Sequence, residues 1–305
     1  MQLFDLHCDT LYECIKTHQS ILQNTYHIDL QKGSIFTPWY QCFAAWVPDT
    51  FSPLKANALI QSMFEKANAF EIQYPWAFHV LRDGQEFYYP PQTSLTAVLT
   101  IENGGAAAPD GILPLYWIQN AVKAITITWN GDNYWASGCM GDTRRGLTPQ
   151  GVIAVREMEL HGIIPDAAHL NRRGFYELAD TVTKPFMVSH TASAACFSSK
   201  RNLSDNQFLL MCKNAGLVGI DLCEQHVGTP LMDAFVEHLE HFLSLGGEHT
   251  VAVGGDLDGI TLPSPYADIS IYQTLYERLL QRNYAESLVE DIFFNNAYRF
   301  FEKYM

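Results

Sequence analysis

Long apolar runs are missing from this sequence: no segment approaches the ~20 consecutive apolar residues needed to cross a bilayer. The start of the chain also lacks the basic region and apolar core of a secretory leader, because Asp5 and His7 interrupt any such run. Basic residues are scarce. Lys and Arg number 19 against 33 Asp and Glu, a formal charge of -14, which argues against nucleic acid or an anionic membrane as partner. Charged residues of both signs make up only 17% and hydrophobic ones 48%, which excludes a disordered or fibrous chain and implies a large buried core. The 7 cysteines are scattered, odd in number and form no Cys-x-x-Cys pair. That leaves no disulfide framework, and reduced thiols in a cytoplasmic protein are expected. Repeats, low-complexity tracts and a convincing linker are absent too, so one domain over 1–305 is expected.

What is present is a succession of short apolar runs, each followed by a helical pattern. Leu3 to Thr10, Trp39 to Val47, Leu95 to Ile101 and Ala124 to Trp129 read as the first four strands. Ile163 to His169, Pro185 to His190, Leu217 to Leu222 and Thr250 to Asp256 complete a set of eight. Between them, helices are predicted over Leu11 to Leu22, Pro53 to Phe70, Ile112 to Val122 and Asn171 to Val182. Thr148-Pro149 and Thr229-Pro230 mark two further helix entries, and Ser204 with Gln207 forms a capping box. A polar, Pro-rich connection through Pro90-Pro91 and two closing helices make up the rest. Eight strands alternating with helices imply parallel βαβ units and, at this length, a (β/α)8 TIM-type barrel. An open doubly wound sheet fits less well, since no Gly-x-Gly-x-x-Gly follows the first strand.

The strand ends carry the chemistry. The first ends in His7 and Asp9, which point to the same side of a strand. The third ends in Glu102, the fifth in His169, the sixth in His190, and the eighth in Asp256 followed by Asp258. His27-Ile28-Asp29 repeats the His-x-Asp pattern, but no apolar run leads into it and it reads as loop. In a barrel the C-terminal strand ends surround one mouth, where active sites of this fold lie. Three His and three carboxylates from five strands point to a metal site. His7, Asp9, Glu102, His169 and His190 would overfill one catalytic zinc. The economical arrangement is two divalent ions, with Glu102 spanning a His7–Asp9 ion and a His169–His190 ion that share a hydroxide.

In these residues the sequence resembles the membrane (renal) dipeptidases and their bacterial relatives, binuclear zinc peptidases of the amidohydrolase-like barrels. The resemblance runs through Leu6-His7-Cys8-Asp9-Thr10, Ile101-Glu102-Asn103-Gly104-Gly105, Asp166-Ala167-Ala168-His169 and Val188-Ser189-His190-Thr191. It continues through Lys200-Arg201-Asn202, Gly254-Gly255-Asp256-Leu257-Asp258-Gly259 and Asn295-Asn296-Ala297-Tyr298-Arg299. It implies zinc on the five ligands, and Asp256 as the group that shuttles a proton from the bridging hydroxide to the leaving amine. It also implies Arg201 as holder of the substrate's terminal carboxylate, and members of the family often pair as homodimers. Asp258 is taken as a support of the loop after the last strand.

One position departs from the family. Its fourth strand ends in a Thr-His pair whose His reaches the substrate, whereas Thr128-Trp129 stands here. Trp129 can stack on a substrate or narrow the pocket, and reads equally well as a core or rim residue, but it cannot ligate metal. The expected activity is metal-dependent cleavage of a dipeptide's amide bond, with a small-molecule substrate. The alternatives are the same chemistry on another small amide, an N-acyl amino acid or a lactone, and a non-catalytic metal- or ligand-binding relative. Cys8, Cys42, Cys196 and Cys223 read as packed small hydrophobes, His226 as a loop residue, and His161, His238 and His241 as surface residues.

Overall fold

Parallel pairing closes the sheet on itself. In the computed structural model, which describes residues 1–304, the strands are β1 (Leu3–Asp5), β2 (Trp39–Trp46), β3 (Phe78–Val80), β4 (Leu95–Glu102), β5 (Ala124–Thr126), β6 (Ile164–Asp166), β7 (Met187–Thr191), β8 (Leu217–Ile220) and β9 (Val251–Val253). β1 pairs with β2 on one side and β9 on the other, and β2 pairs with β4. From β4 the ladder runs through β5, β6, β7 and β8 back to β9. The result is a closed barrel of eight parallel strands with helices between them, a (β/α)8 TIM-type fold. β3 is an addition: it pairs with the beginning of β4, inside the stretch read from sequence as a polar connection.

Two cores account for the near-continuous apolar strands. One lies between barrel and surrounding helices and holds Leu3, Phe43, Leu99, Ile125, Val188 and Val253. The other fills the barrel's lower interior with Phe4, Tyr40, Val98, Ile164, Met187 and Leu217. Neighbouring strand residues thus face opposite cores, and both faces are covered, as parallel sheets require. The C-terminal helical segment plugs the bottom: Phe301 and Phe294 lie 5.0 and 6.5 Å from the Phe4 ring. Higher up, Gly219 and Gly254 press on the Ser189 carbonyl, where an added Cβ would come within 2.0 and 1.8 Å of its oxygen. The barrel is therefore shut below and narrow at its waist.

Local chemistry explains the helix ends. Thr148 accepts from Gly151 N (3.0 Å) and Asn171 from Gly174 N (2.7 Å), each opening the helix that follows. The helix after β1 spans Thr10–Thr17 and stops at His18, whose φ of 60° is left-handed, so the predicted extension to Leu22 does not form. Pro114 caps a helix reduced to Leu115–Gln119. His238 is corrected from surface to core: it is fully buried, with Ser193 N donating to Nδ1 at 2.9 Å and Nε2 on the Val227 carbonyl at 3.0 Å. Cys8 and Cys42 are buried, whereas Cys196 and Cys223 are only half-buried, and all the cysteines are free. Among the described residues no helix is long and apolar enough to cross a membrane.

Candidate metal centre

β1 ends at Asp5, but the backbone beyond it stays pinned. Cys8 N donates to the Cys42 carbonyl (3.1 Å) and Ala44 N to the Cys8 carbonyl (2.9 Å). With Cys8 tied to β2, His7 and Asp9 share the opposite side, and His7 Nε2 stands 3.7 Å from Asp9 Oδ2. Glu102 ends β4, His190 lies within β7, and His169 and Asp256 each follow their strand by three residues. The structure brings all six to one mouth. Glu102 Oε2 is 3.4 Å from His7 Nε2, while Oε1 is 2.8 Å from His169 Nε2 and 3.8 Å from His190 Nε2. Asp256 Oδ1 is 3.7 Å from His7 Nε2.

The cluster is nearly sealed from solvent, and that decides its protonation. Burial acts against charge on Glu102, but His7 and His169 outweigh it and hold the carboxyl well below the usual range. Burial lifts Asp9, and lifts Asp256 strongly, with Asp9 and Glu102 adding to the push on Asp256. Burial and the nearby Arg201 bring His169 down to about 4, and burial with His7 holds His190 well below its ordinary value. His7 moves the other way: Glu102 and Asp9 overcome its burial and raise it. His169 and His190 held neutral beside an ionised Glu102, with a His7 proton that a cation would displace, form a donor set suited to cations.

Three observations fit that reading. His7 Nε2 and Asp9 Oδ1 are buried without a hydrogen-bond partner, a costly state that a cation relieves. Asn130 Oδ1 faces His169 Nδ1 at 3.0 Å, so that ring nitrogen donates and leaves the Nε2 lone pair toward Glu102 Oε1 and, at 2.9 Å, His190 Nε2. Lone pairs this close are tolerable when a cation faces them. Gly259 leaves a hollow where a Cβ would sit 2.3 Å from Asp9 Oδ2 and 2.5 Å from Asp256 Oδ1. The groups His7–Glu102–His190 and His7–Asp9–Asp256 each gather within reach of one ion. The backbone is strained in the same place, with left-handed φ at Asn103 (71°), His169 (67°), Asp256 (55°) and Asp258 (70°).

The other predicted residues border this cluster. A cavity of about 360 Å3 opens over it, lined by Asp9, Trp46, Glu102, Trp129, His169 and Asp256 among others. Arg201 lines an adjoining cavity of about 350 Å3 with Lys200, and His169 belongs to both. Its guanidinium is buried, with Nη2 donating to the His190 carbonyl (3.1 Å) and Nε unpartnered. Asp258 accepts from Thr10 Oγ1 and from His27 N, both at 2.6 Å, tying the last loop to the His27 segment. His226 lies on a short helix with Nδ1 2.7 Å from Asp221 Oδ2.

Sequence reasoning passed over Tyr12, Trp46, Asn130 and Ser189, the last with Oγ 2.9 Å from His190 Nδ1. Their signal was position: Trp46 closes a strand as Glu102 does, Asn130 follows Trp129, and Ser189 precedes a predicted ligand.

Known proteins bear on the fold and the family. A metallopeptidase from Rhodobacter sphaeroides, solved with a phosphinate mimic of the dipeptide L-Ala-D-Ala, superimposes with a TM-score of 0.91 at 21% identity, covering 100% of this chain and 99% of that one. At that identity the likeness speaks for the fold. In sequence, an uncharacterized Klebsiella pneumoniae protein from the pqqA 5' region is 27% identical over 67% of this chain and 80% of its own length. An uncharacterized dipeptidase of Schizosaccharomyces pombe is 28% identical over 58% of this chain, and the match spans only 46% of that protein. The sequence profile of the membrane dipeptidases, peptidase family M19, matches residues 1–304, and with its mouth-side cluster of imidazoles and carboxylates the chain belongs to that family.

Proposed function

We propose that this chain hydrolyses the amide bond of dipeptides with two divalent cations, zinc by preference, held by His7, Asp9, Glu102, His169 and His190. The observation that carries the proposal is the division of Glu102: one carboxylate oxygen faces His7, the other His169 and His190. When bound, the cations polarise the scissile carbonyl and make water nucleophilic near neutral pH. Asp256 then takes the attacking water's proton and returns it to the leaving amine, a task suited to a carboxylate that stands at the edge of the cluster, 3.7 Å from His7 Nε2. Arg201 receives the substrate's terminal carboxylate from its adjoining cavity. Asn130 and Ser189 hold the His169 and His190 rings in orientation. Trp129 borders the substrate pocket. Barrel and C-terminal helices act as one unit in this reading, the free cysteines suit a reducing, cytoplasmic setting, and a homodimer is the proposed assembly.

Elemental mass spectrometry with a substrate panel tests it. Two zinc per chain are expected, with turnover of dipeptides above that of N-acyl amino acids and lactones. Asp256→Asn is expected to keep the metal and lose turnover by ~10²–10⁴-fold. Fewer than one metal per chain, or N-acyl amino acids cleaved in preference to dipeptides, overturns the proposal.

A further inference from the structure

We infer that the pocket over the metal centre selects dipeptides whose amino-terminal residue carries a large apolar or aromatic side chain, and that Trp46 together with Trp129 sets this choice. The inference rests on the dipeptide-hydrolase reading above and adds the class of substrate to it.

Three aromatic rings form one wall of the 360 Å3 cavity. Tyr12 meets Trp46 edge-on, centroids 4.9 Å apart at 89°, and Trp46 meets Trp129 at 5.1 Å and 75°. Trp129 ends the row 6.4 Å from the His169 ring. Edge-to-face contacts of this kind brace each ring against the next. Trp46 is fixed further by the sheet, since it pairs in register with Glu102. The fold uses other tryptophans differently: Trp39, Trp117 and Trp135 are fully buried core residues, while Trp46 and Trp129 remain partly open to the cavity. Rigid aromatic faces left open beside a reacting centre favour apolar partners.

Charge decides which end of the dipeptide meets the wall. Lys200 and Arg201 lie in the adjoining cavity, while Asp9, Asp256 and Asp258 lie in the aromatic one. The two spaces share His169. A dipeptide laid across His169 therefore sends its carboxylate toward Arg201 and its amino-terminal residue toward the rings. Lys16 also lines the aromatic cavity, but Glu13 engages its ammonium at 3.0 Å, and Asp9, Asp256 and Asp258 outnumber it there, which disfavours an acidic side chain. Trp129, standing where the family keeps a histidine, replaces a polar contact with an apolar one on this side.

Phe-Ala, Leu-Ala, Ala-Ala, Asp-Ala and Ala-Phe with the zinc-loaded enzyme test the inference. Phe-Ala and Leu-Ala are expected to exceed Ala-Ala in kcat/KM by about tenfold or more, the scale hydrophobic pockets reach. Ala-Phe is not expected to share that advantage. Trp46→Ala should bring the Phe-Ala to Ala-Ala ratio close to one, and Trp46→Phe should lower it in part, which serves if the alanine variant fails to fold. Calorimetry with Asp256→Asn reads the same discrimination as binding, without turnover. If Ala-Ala equals or exceeds Phe-Ala, or if the ratio survives both Trp46 substitutions, the inference is wrong while the dipeptidase reading stands. If no dipeptide is cleaved or bound, both fall together.

Discussion

Gly259→Ala separates the demands of the fold from those of the metal centre. The new methyl would sit 2.3 Å from Asp9 Oδ2 and 2.5 Å from Asp256 Oδ1, against an ordinary contact of about 3.5 Å. Each carboxylate must therefore retreat by about 1 Å. Both atoms are side-chain tips, so the retreat costs the metal-free fold little, within the ~0.5 kcal/mol typical of mild substitutions. A cation's ligands tolerate shifts of only about 0.2 Å. Metal affinity should consequently fall by about 10–100-fold, the range seen when a ligand's support is disturbed, or about 1.4–2.7 kcal/mol. Chelator competition on the purified variant reads the affinity, and thermal unfolding of the metal-free protein reads the fold. An affinity within twofold of wild type would refute Asp9 as a cation ligand. Unfolding of the metal-free variant far below wild type would refute the claim that only the site is strained.

Four further outcomes follow from the same structure. Asn130→Ala removes the acceptor that orients His169 and should weaken metal binding by about 10–100-fold in the same competition assay, with unfolding of the metal-free chain little changed. His238→Ala strips partners from a buried backbone N–H and a carbonyl and should cost about 1–3 kcal/mol in urea denaturation. His161→Ala, on the half-exposed helix end, should cost no more than about 0.5 kcal/mol in the same measurement. Chelation should lower the unfolding temperature and added zinc restore it. Metal at 1,000 times its Kd contributes about 4 kcal/mol, so an unmoved transition would contradict a built metal site.

The barrel was legible because strands covered on both faces become short unbroken apolar runs, and their mouth ends show as abrupt changes to His, Asp or Glu. His7, Asp9, Glu102, His169, His190 and Asp256 stand out in this way, and the structure draws them together. β3 was hidden because three residues, Phe78–Val80, are too few to show a period beside polar and Pro-rich neighbours. His238 was misread because a histidine in an amphipathic helix resembles a surface residue until its partners, Ser193 and Val227, are in place. The left-handed backbone at His169 leaves no trace in composition. Neither does the row of Tyr12, Trp46 and Trp129, because three separate chain segments supply one ring each.

The plugged lower end of the barrel has a bearing on traffic. With Phe294 and Phe301 packed beneath Phe4 and the Ser189 carbonyl gripped between two glycines, the described residues close the lower end of the barrel. Whatever is cleaved must leave through the doorway it entered, so the first fragment to depart clears the way for the second. Free amino acids held at that doorway are then expected to compete with arriving substrate, so that turnover should slow as products accumulate.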